Sequence, residues 1–103
     1  MGLSFLGKKD RRGAAIYLLH DGSGPQEREL ERLKDRLERL GLKHQILVLS
    51  SLDGDGEELR DFYDLQQLPA AMIARENDEL IYSWKSNLPP PETIAYHARQ
   101  VSS

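Results

Sequence analysis

Residues 14–26, Ala14-Ala15-Ile16-Tyr17-Leu18-Leu19-His20-Asp21-Gly22-Ser23-Gly24-Pro25-Gln26, decide the fold. The apolar run up to His20 meets Asp21-Gly22-Ser23-Gly24-Pro25, a stretch made of turn-forming residue types. A short run without polar alternation, stopped by turn chemistry, predicts a strand buried on both faces. From Gln26 the period changes. Leu30, Leu33, Leu37 and Leu40 recur three or four apart among Glu, Asp, Arg and Lys, the stripe of an amphipathic helix over 26–40. Lys34–Glu38 and Asp35–Arg39 are opposite charges at helical spacing, whereas Glu31–Asp35 is a like-charge pair. Two heptads are too few for a coiled coil. Gly41 ends the helix as its C′ residue. His44-Gln45-Ile46-Leu47-Val48-Leu49-Ser50 then reads as a second buried strand, and strand, helix and strand make a right-handed βαβ unit with parallel strands.

Beyond this unit, Leu52-Asp53-Gly54-Asp55-Gly56 reads as a loop before a short helix that turns Leu59, Phe62 and Tyr63 inward. Asp55 and Glu58 have the spacing of a capping box for that helix. After Leu68-Pro69, two runs, 70–75 and 79–84, flank the turn Glu76-Asn77-Asp78 as an antiparallel hairpin. Pro89-Pro90-Pro91 opens a last helix with Ile94, Ala98 and Val101 on one face, proline being tolerated where the N–H has no helical partner. The expectation is a flexible arm over 1–13 and one α/β domain over 14–103, in the order β-α-β-α-β-β-α. No repeat and no linker divides it.

That order resembles the core of the thioredoxin fold, and two local features carry the resemblance. Ser23-Gly24-Pro25-Gln26 stands between the first strand and its helix, where thioredoxins have Cys-Gly-Pro-Cys. Leu68-Pro69 precedes the hairpin, where the family has a cis-proline. The resemblance covers roughly residues 14–101. It implies a four-stranded mixed sheet flanked by helices, with the first helix starting at a surface cleft beside Pro69. Two departures match the missing cysteines: Gly22 stands where the family usually has Trp, and Tyr17 where it often has a buried Asp.

Ser23 and Gln26 suit their positions without redox chemistry. An N-cap Ser accepts the N3 amide while a Gln at N3 reaches back to the cap's own N–H, so the spacing of a redox pair is also that of a capping box. His20, Asp21 and Ser23 hold the letters of a catalytic triad, but a triad needs groups that converge from separate segments. Neighbouring strand residues face opposite ways. His20 is expected instead to end the strand with a satisfied hydrogen bond. The helix start is an alternative site, since free N–H groups and the positive dipole end favour anions and Gly22 and Gly24 allow close approach. Glutathione transferases use this fold and position, sometimes with a Ser; Asp21 there would repel an anion. Asp53-Gly54-Asp55-Gly56-Glu57-Glu58 fails as a calcium loop, because aligning Gly56 with the EF-hand glycine puts Ser51 and Phe62 at the terminal ligand positions. His20, His44 and His97 have no ligand spacing. Tyr82, Trp84 and Tyr96 are expected in hairpin and helix packing.

Composition bounds the rest. A chain of 103 residues has room for one modest core, and 39% hydrophobic residues gathered in segments argue against disorder. A formal net charge of −3 argues against a nucleic-acid partner. The one basic cluster, Lys8, Lys9, Arg11 and Arg12 around Asp10, reads as a solvated leader. With no cysteine, disulfides, thiol catalysis and Cys-ligated metals are excluded, and no cofactor or metal is implied. No apolar run is long enough to cross a bilayer, the opening residues are too short for a signal-peptide core, and Leu6 breaks the myristoylation pattern after Gly2. The expectation is a cytoplasmic, redox-inactive module, not an enzyme. It would bind a protein or peptide at a cleft of Asp21, Gly22, Ser23, Gly24, Pro25, Gln26, Leu68 and Pro69, by strand addition, which needs main-chain groups and an apolar surface but no thiol. The enzyme alternative is glutathione or anion chemistry at Ser23 and the helix start. Self-association through the hairpin edge is a third possibility.

Overall fold

A computed structural model describes residues 14–101. The flexible arm expected over 1–13 lies outside the described residues. Four strands, β1 (Ala15–His20), β2 (Gln45–Ser50), β3 (Ala70–Ala74) and β4 (Leu80–Lys85), form one mixed sheet in the order β2-β1-β3-β4. Three helices, α1 (Gly24–Arg39), α2 (Gly54–Phe62) and α3 (Pro91–Gln100), complete the expected order. β1 runs parallel to β2 and antiparallel to β3, and β3 pairs antiparallel with β4.

The central strands carry the core. Every residue of β1 and β3 is buried, as their unbroken apolar runs predict. Side chains of β1 alternate between two clusters. Ile16 and Leu18 meet Leu30, Leu33 and Leu37 of α1 and Ile94, Ala95 and Ala98 of α3. Tyr17 and Leu19 meet Leu59, Leu65 and Met72 on the α2 side. Full burial of a Leu or Ile side chain contributes roughly 1.5–3 kcal/mol. Tyr17 is a core residue with no exposed surface.

Four sequence expectations are corrected. β2 is an edge strand, and only Ile46 in it is fully buried, because its outer side has no neighbouring strand among the described residues. Helix α1 starts at Gly24, ahead of Gln26, and its apolar face is Leu30, Leu33 and Leu37, with Leu40 left as C-cap before Gly41 at φ +83°. Helix α2 starts at Gly54 with Asp53 as N-cap and no side-chain cap bond, so Asp55 and Glu58 form no capping box. The helix buries Leu59, while Phe62 is 44% exposed, its ring edge-on to Tyr63 at 4.8 Å. Gly56 explains the close seat of α2: a Cβ there would run into the Ser50 carbonyl oxygen.

The hairpin turns at the expected residues. Arg75 N–H donates to the Glu79 carbonyl at 2.8 Å, and Asp78 N–H to the Arg75 carbonyl at 2.9 Å. A register shift follows, with Ile73 opposite Tyr82 and Ala74 opposite Leu80. Tyr82 and Trp84 stack at 5.8 Å and lie against His97 of α3, at 4.0 and 5.7 Å between ring centres. Tyr96 departs from the packing expectation, since it is 61% exposed, its ring edge-on to His97 at 5.3 Å.

Candidate functional site

β1 delivers the chain to the sheet's end at His20, whose carbonyl accepts Ser51 N–H at 2.8 Å. The His20 ring is 5% exposed, and its Nδ1 accepts Gly22 N–H at 3.0 Å. This is the satisfied strand-end bond expected of it, and it leaves Nε2 to carry the ring proton. Gly22 then turns at φ +90°, with the Leu52 side chain filling the space a Cβ would take.

The next residues close on themselves. Asp21 Oδ1 accepts Ser23 N–H at 2.9 Å. Ser23, extended at φ −76° and ψ 147°, caps α1, and its Oγ accepts Gln26 N–H at 3.4 Å. The capping box differs from expectation at its second half. Gln26 Oε1 accepts the N–H of Asp21 at 2.9 Å, two residues before the cap, because the carboxylate of Asp21 already holds the cap's own N–H. Hydrogen bonds from the Ser23 hydroxyl and then from its N–H hold the Asp21 carboxyl below its ordinary value of 3.8.

Gln26 Nε2 donates to the Leu68 carbonyl at 3.4 Å, and the Leu68–Pro69 peptide bond is cis. Pro69 is buried, and its carbonyl accepts Ser86 N–H at 2.9 Å, which ties the segment to the end of β4. Leu68 is half-buried, and among the described residues its N–H has no hydrogen-bond partner. The eight site residues read from sequence thus fall into two segments bridged by Gln26.

The triad geometry does not form. His20 spends Nδ1 on Gly22 N–H, and Asp21 turns to Ser23 N–H. Sequence reasoning missed Leu52. It is 78% exposed and stands against Gly22, with its Cγ 2.9 Å from where a Gly22 Cβ would sit. Its only sequence signal is an apolar residue among turn formers in Ser51-Leu52-Asp53-Gly54.

No protein-family model matches the sequence, and no curated protein matches it. Solved structures do. An uncharacterised thioredoxin-like protein from Clostridium perfringens superposes with a TM-score of 0.76 at 14% identity, over 91% of this chain and 75% of that one. Thioredoxin from Trypanosoma brucei brucei gives 0.67 at 15% identity, over 94% and 81%. Mitochondrial thioredoxin 3 from Saccharomyces cerevisiae gives 0.69 at 9% identity, over 95% and 88%. Strand order, the turn into α1 and the cis Leu68–Pro69 bond therefore define a thioredoxin fold. The sequence has no cysteine, so this thioredoxin fold carries Ser23 and Gln26 where the resemblance sets the redox pair.

Proposed function

We propose that this chain is a redox-inactive interaction module that binds an extended segment of a protein partner at the cleft between residues 21–26 and Leu68–Pro69. The observation that carries this reading is the bridge from Gln26 to Leu68, which holds both cleft walls together without a disulfide or thiol pair. The Leu68 N–H, unpartnered among the described residues, offers a main-chain donor for strand addition. Exposed Leu52, which stands against Gly22, offers an apolar surface on the 21–26 segment. Thiol–disulfide exchange has no reactive atom in this chain. A cytoplasmic setting belongs to the same proposal; no helix among the described residues is long and apolar enough to cross a membrane.

The glutathione or anion alternative has less support. Three N–H groups around the start of α1 are taken: Ser23 N–H by Asp21, and Asp21 N–H and Gln26 N–H by side-chain oxygens. Asp21, fully exposed and held ionised, adds a like charge at the mouth.

Affinity capture from cell lysate tests the reading. Leu52→Asp and Ser23→Arg change exposed or half-buried positions and should each lower recovery of the captured partner by about tenfold, the scale of a lost interface anchor. Unchanged recovery of every partner by both variants would show that binding lies elsewhere.

A further inference from the structure

A second surface, away from this cleft, carries its own chemistry. Arg28, Arg32, Arg36 and Arg39 follow one another on α1 at intervals of four, four and three residues, and all four are exposed. At 3.6 residues per turn they fall within an arc of about 80°, a row roughly 16 Å long. Glu27, Glu31 and Glu38 gather on the other flank of the exposed face. Within the row, Arg28–Arg32 and Arg32–Arg36 are like charges four apart that oppose each other.

The basic flank overlooks a groove between α1 and the start of α3. Leu33, Leu88, Pro89 and Pro91 give the groove its apolar lining, and Arg32, Arg36 and Arg39 line it with charge, around a cavity of about 430 Å³. Asp35 also lines it but is spent on Arg39 at 2.9 Å. Arg32 and Arg36 have no ion pair among the described residues. Glu29 is the one acidic lining group left without an ion pair among them. Guanidinium groups suit carboxylates because they bind them through two parallel N–H donors.

We propose that this groove docks an acidic amphipathic helix of a partner protein, with an apolar side chain in the cavity and carboxylates on Arg32 and Arg36. The form of the row selects the occupant. Arginines one turn apart stand about 6 Å apart along the axis, the spacing of carboxylates four apart on a second helix. A compact anion would use one or two of them and leave the apolar lining bare. An acidic helix satisfies the row and the cavity together, in the helix-in-groove mode.

The test is an NMR titration of the full chain with three synthetic helical peptides. All carry leucines at helical spacing, with the intervening positions filled by glutamate, glutamine or lysine. The glutamate peptide should shift resonances of Arg32, Arg36 and Leu88, and its affinity should fall as salt is added. The glutamine and lysine peptides should not bind. Combining Arg32→Gln with Arg36→Gln should weaken the glutamate peptide by about fivefold or more, the scale of two exposed ion pairs. Glu29→Gln should tighten it, a change of sign that general loss of structure cannot produce. Equal binding of the glutamine peptide, no binding of the glutamate peptide, or shifts confined to Gly22–Gln26 and Leu68 would overturn the proposal. Light scattering on the chain alone closes the remaining route: a doubled mass lost on Arg36→Glu would assign the groove to a second copy and overturn the partner helix. Neither result bears on the cleft at Pro69.

Discussion

Gln26 and Leu68 lie forty-two positions apart in the chain and meet through the Gln26 Nε2 donor and the Leu68 carbonyl at 3.4 Å. The same Gln26 side chain accepts Asp21 N–H at 2.9 Å, so one amide group fastens the end of β1, the first turn of α1 and the cis-proline segment. The thioredoxin resemblance sets a cysteine at this position. This chain keeps the architecture of the position and replaces its chemistry with hydrogen bonding.

Gln26→Leu removes both bonds and should cost about 1–2 kcal/mol by denaturant titration. Gln26→Glu keeps the acceptor for Asp21 N–H but loses the donor to Leu68 and sets a negative charge near Asp21. It should therefore loosen the Leu68 segment, read as faster amide exchange of Ser86, whose N–H rests on the Pro69 carbonyl. Equal stability of wild type and Gln26→Leu would show that the bridge contributes nothing.

Three glycines separate backbone requirement from open space. Gly56→Ala forces a Cβ onto the Ser50 carbonyl and should cost about 1–3 kcal/mol or more, since backbone on both sides must move. Gly22→Ala meets positive φ and the Leu52 side chain, and should cost about 1–3 kcal/mol, towards the low end because exposed Leu52 can swing away. Gly54→Ala meets nothing within 4 Å and should raise stability by about 0.4–1 kcal/mol. Thermal unfolding of the three variants checks the order.

These positions also show how far the sequence was legible. The unbroken apolar runs at 15–20 and 70–74 and the leucine stripe at 30, 33 and 37 announced the sheet and α1, because burial on two faces or one leaves a periodic trace. The two cleft segments were visible through Gly-Pro and Leu-Pro. Nothing in the sequence revealed that Gln26 would reach Leu68, which depends on a contact between distant segments. Leu52 was lost for a related reason, since an exposed apolar side chain leaves no period. The start of α2 was misplaced because capping residues occur at both Asp53 and Asp55, and the fit of Gly56 against Ser50, a tertiary contact, chooses between them.

Asp21 gives the cleft a pH response. Its carboxyl lies below 3.8 in the folded chain, held there by the Ser23 hydroxyl and N–H. The folded state therefore binds this proton less readily than the unfolded chain does. The stabilisation is present above the ordinary value and is lost as pH falls through the lowered one. Asp21→Asn should flatten that part of the acid limb in a plot of melting temperature against pH. A limb of unchanged slope would contradict the role given to the Ser23 bonds.

Ser23→Cys with Gln26→Cys should restore a pair that oxidises to an intrachain disulfide, because an N-cap and the third residue of its helix lie within bridging distance. Mass spectrometry under non-reducing conditions should find two fewer protons than in the reduced sample. Persistent free thiols under mild oxidant would mean that the opening turn of α1 is wider than a redox turn.

The central claim, that the cleft binds a partner through its main chain, is tested most directly by the amide hydrogen exchange of Leu68 in the free chain and with a captured partner bound. The account predicts that Leu68 N–H, without a partner among the described residues, becomes protected in the complex together with shifts at Leu52 and Ser23. A saturated complex in which the Leu68 amide exchanges at its free rate would contradict it.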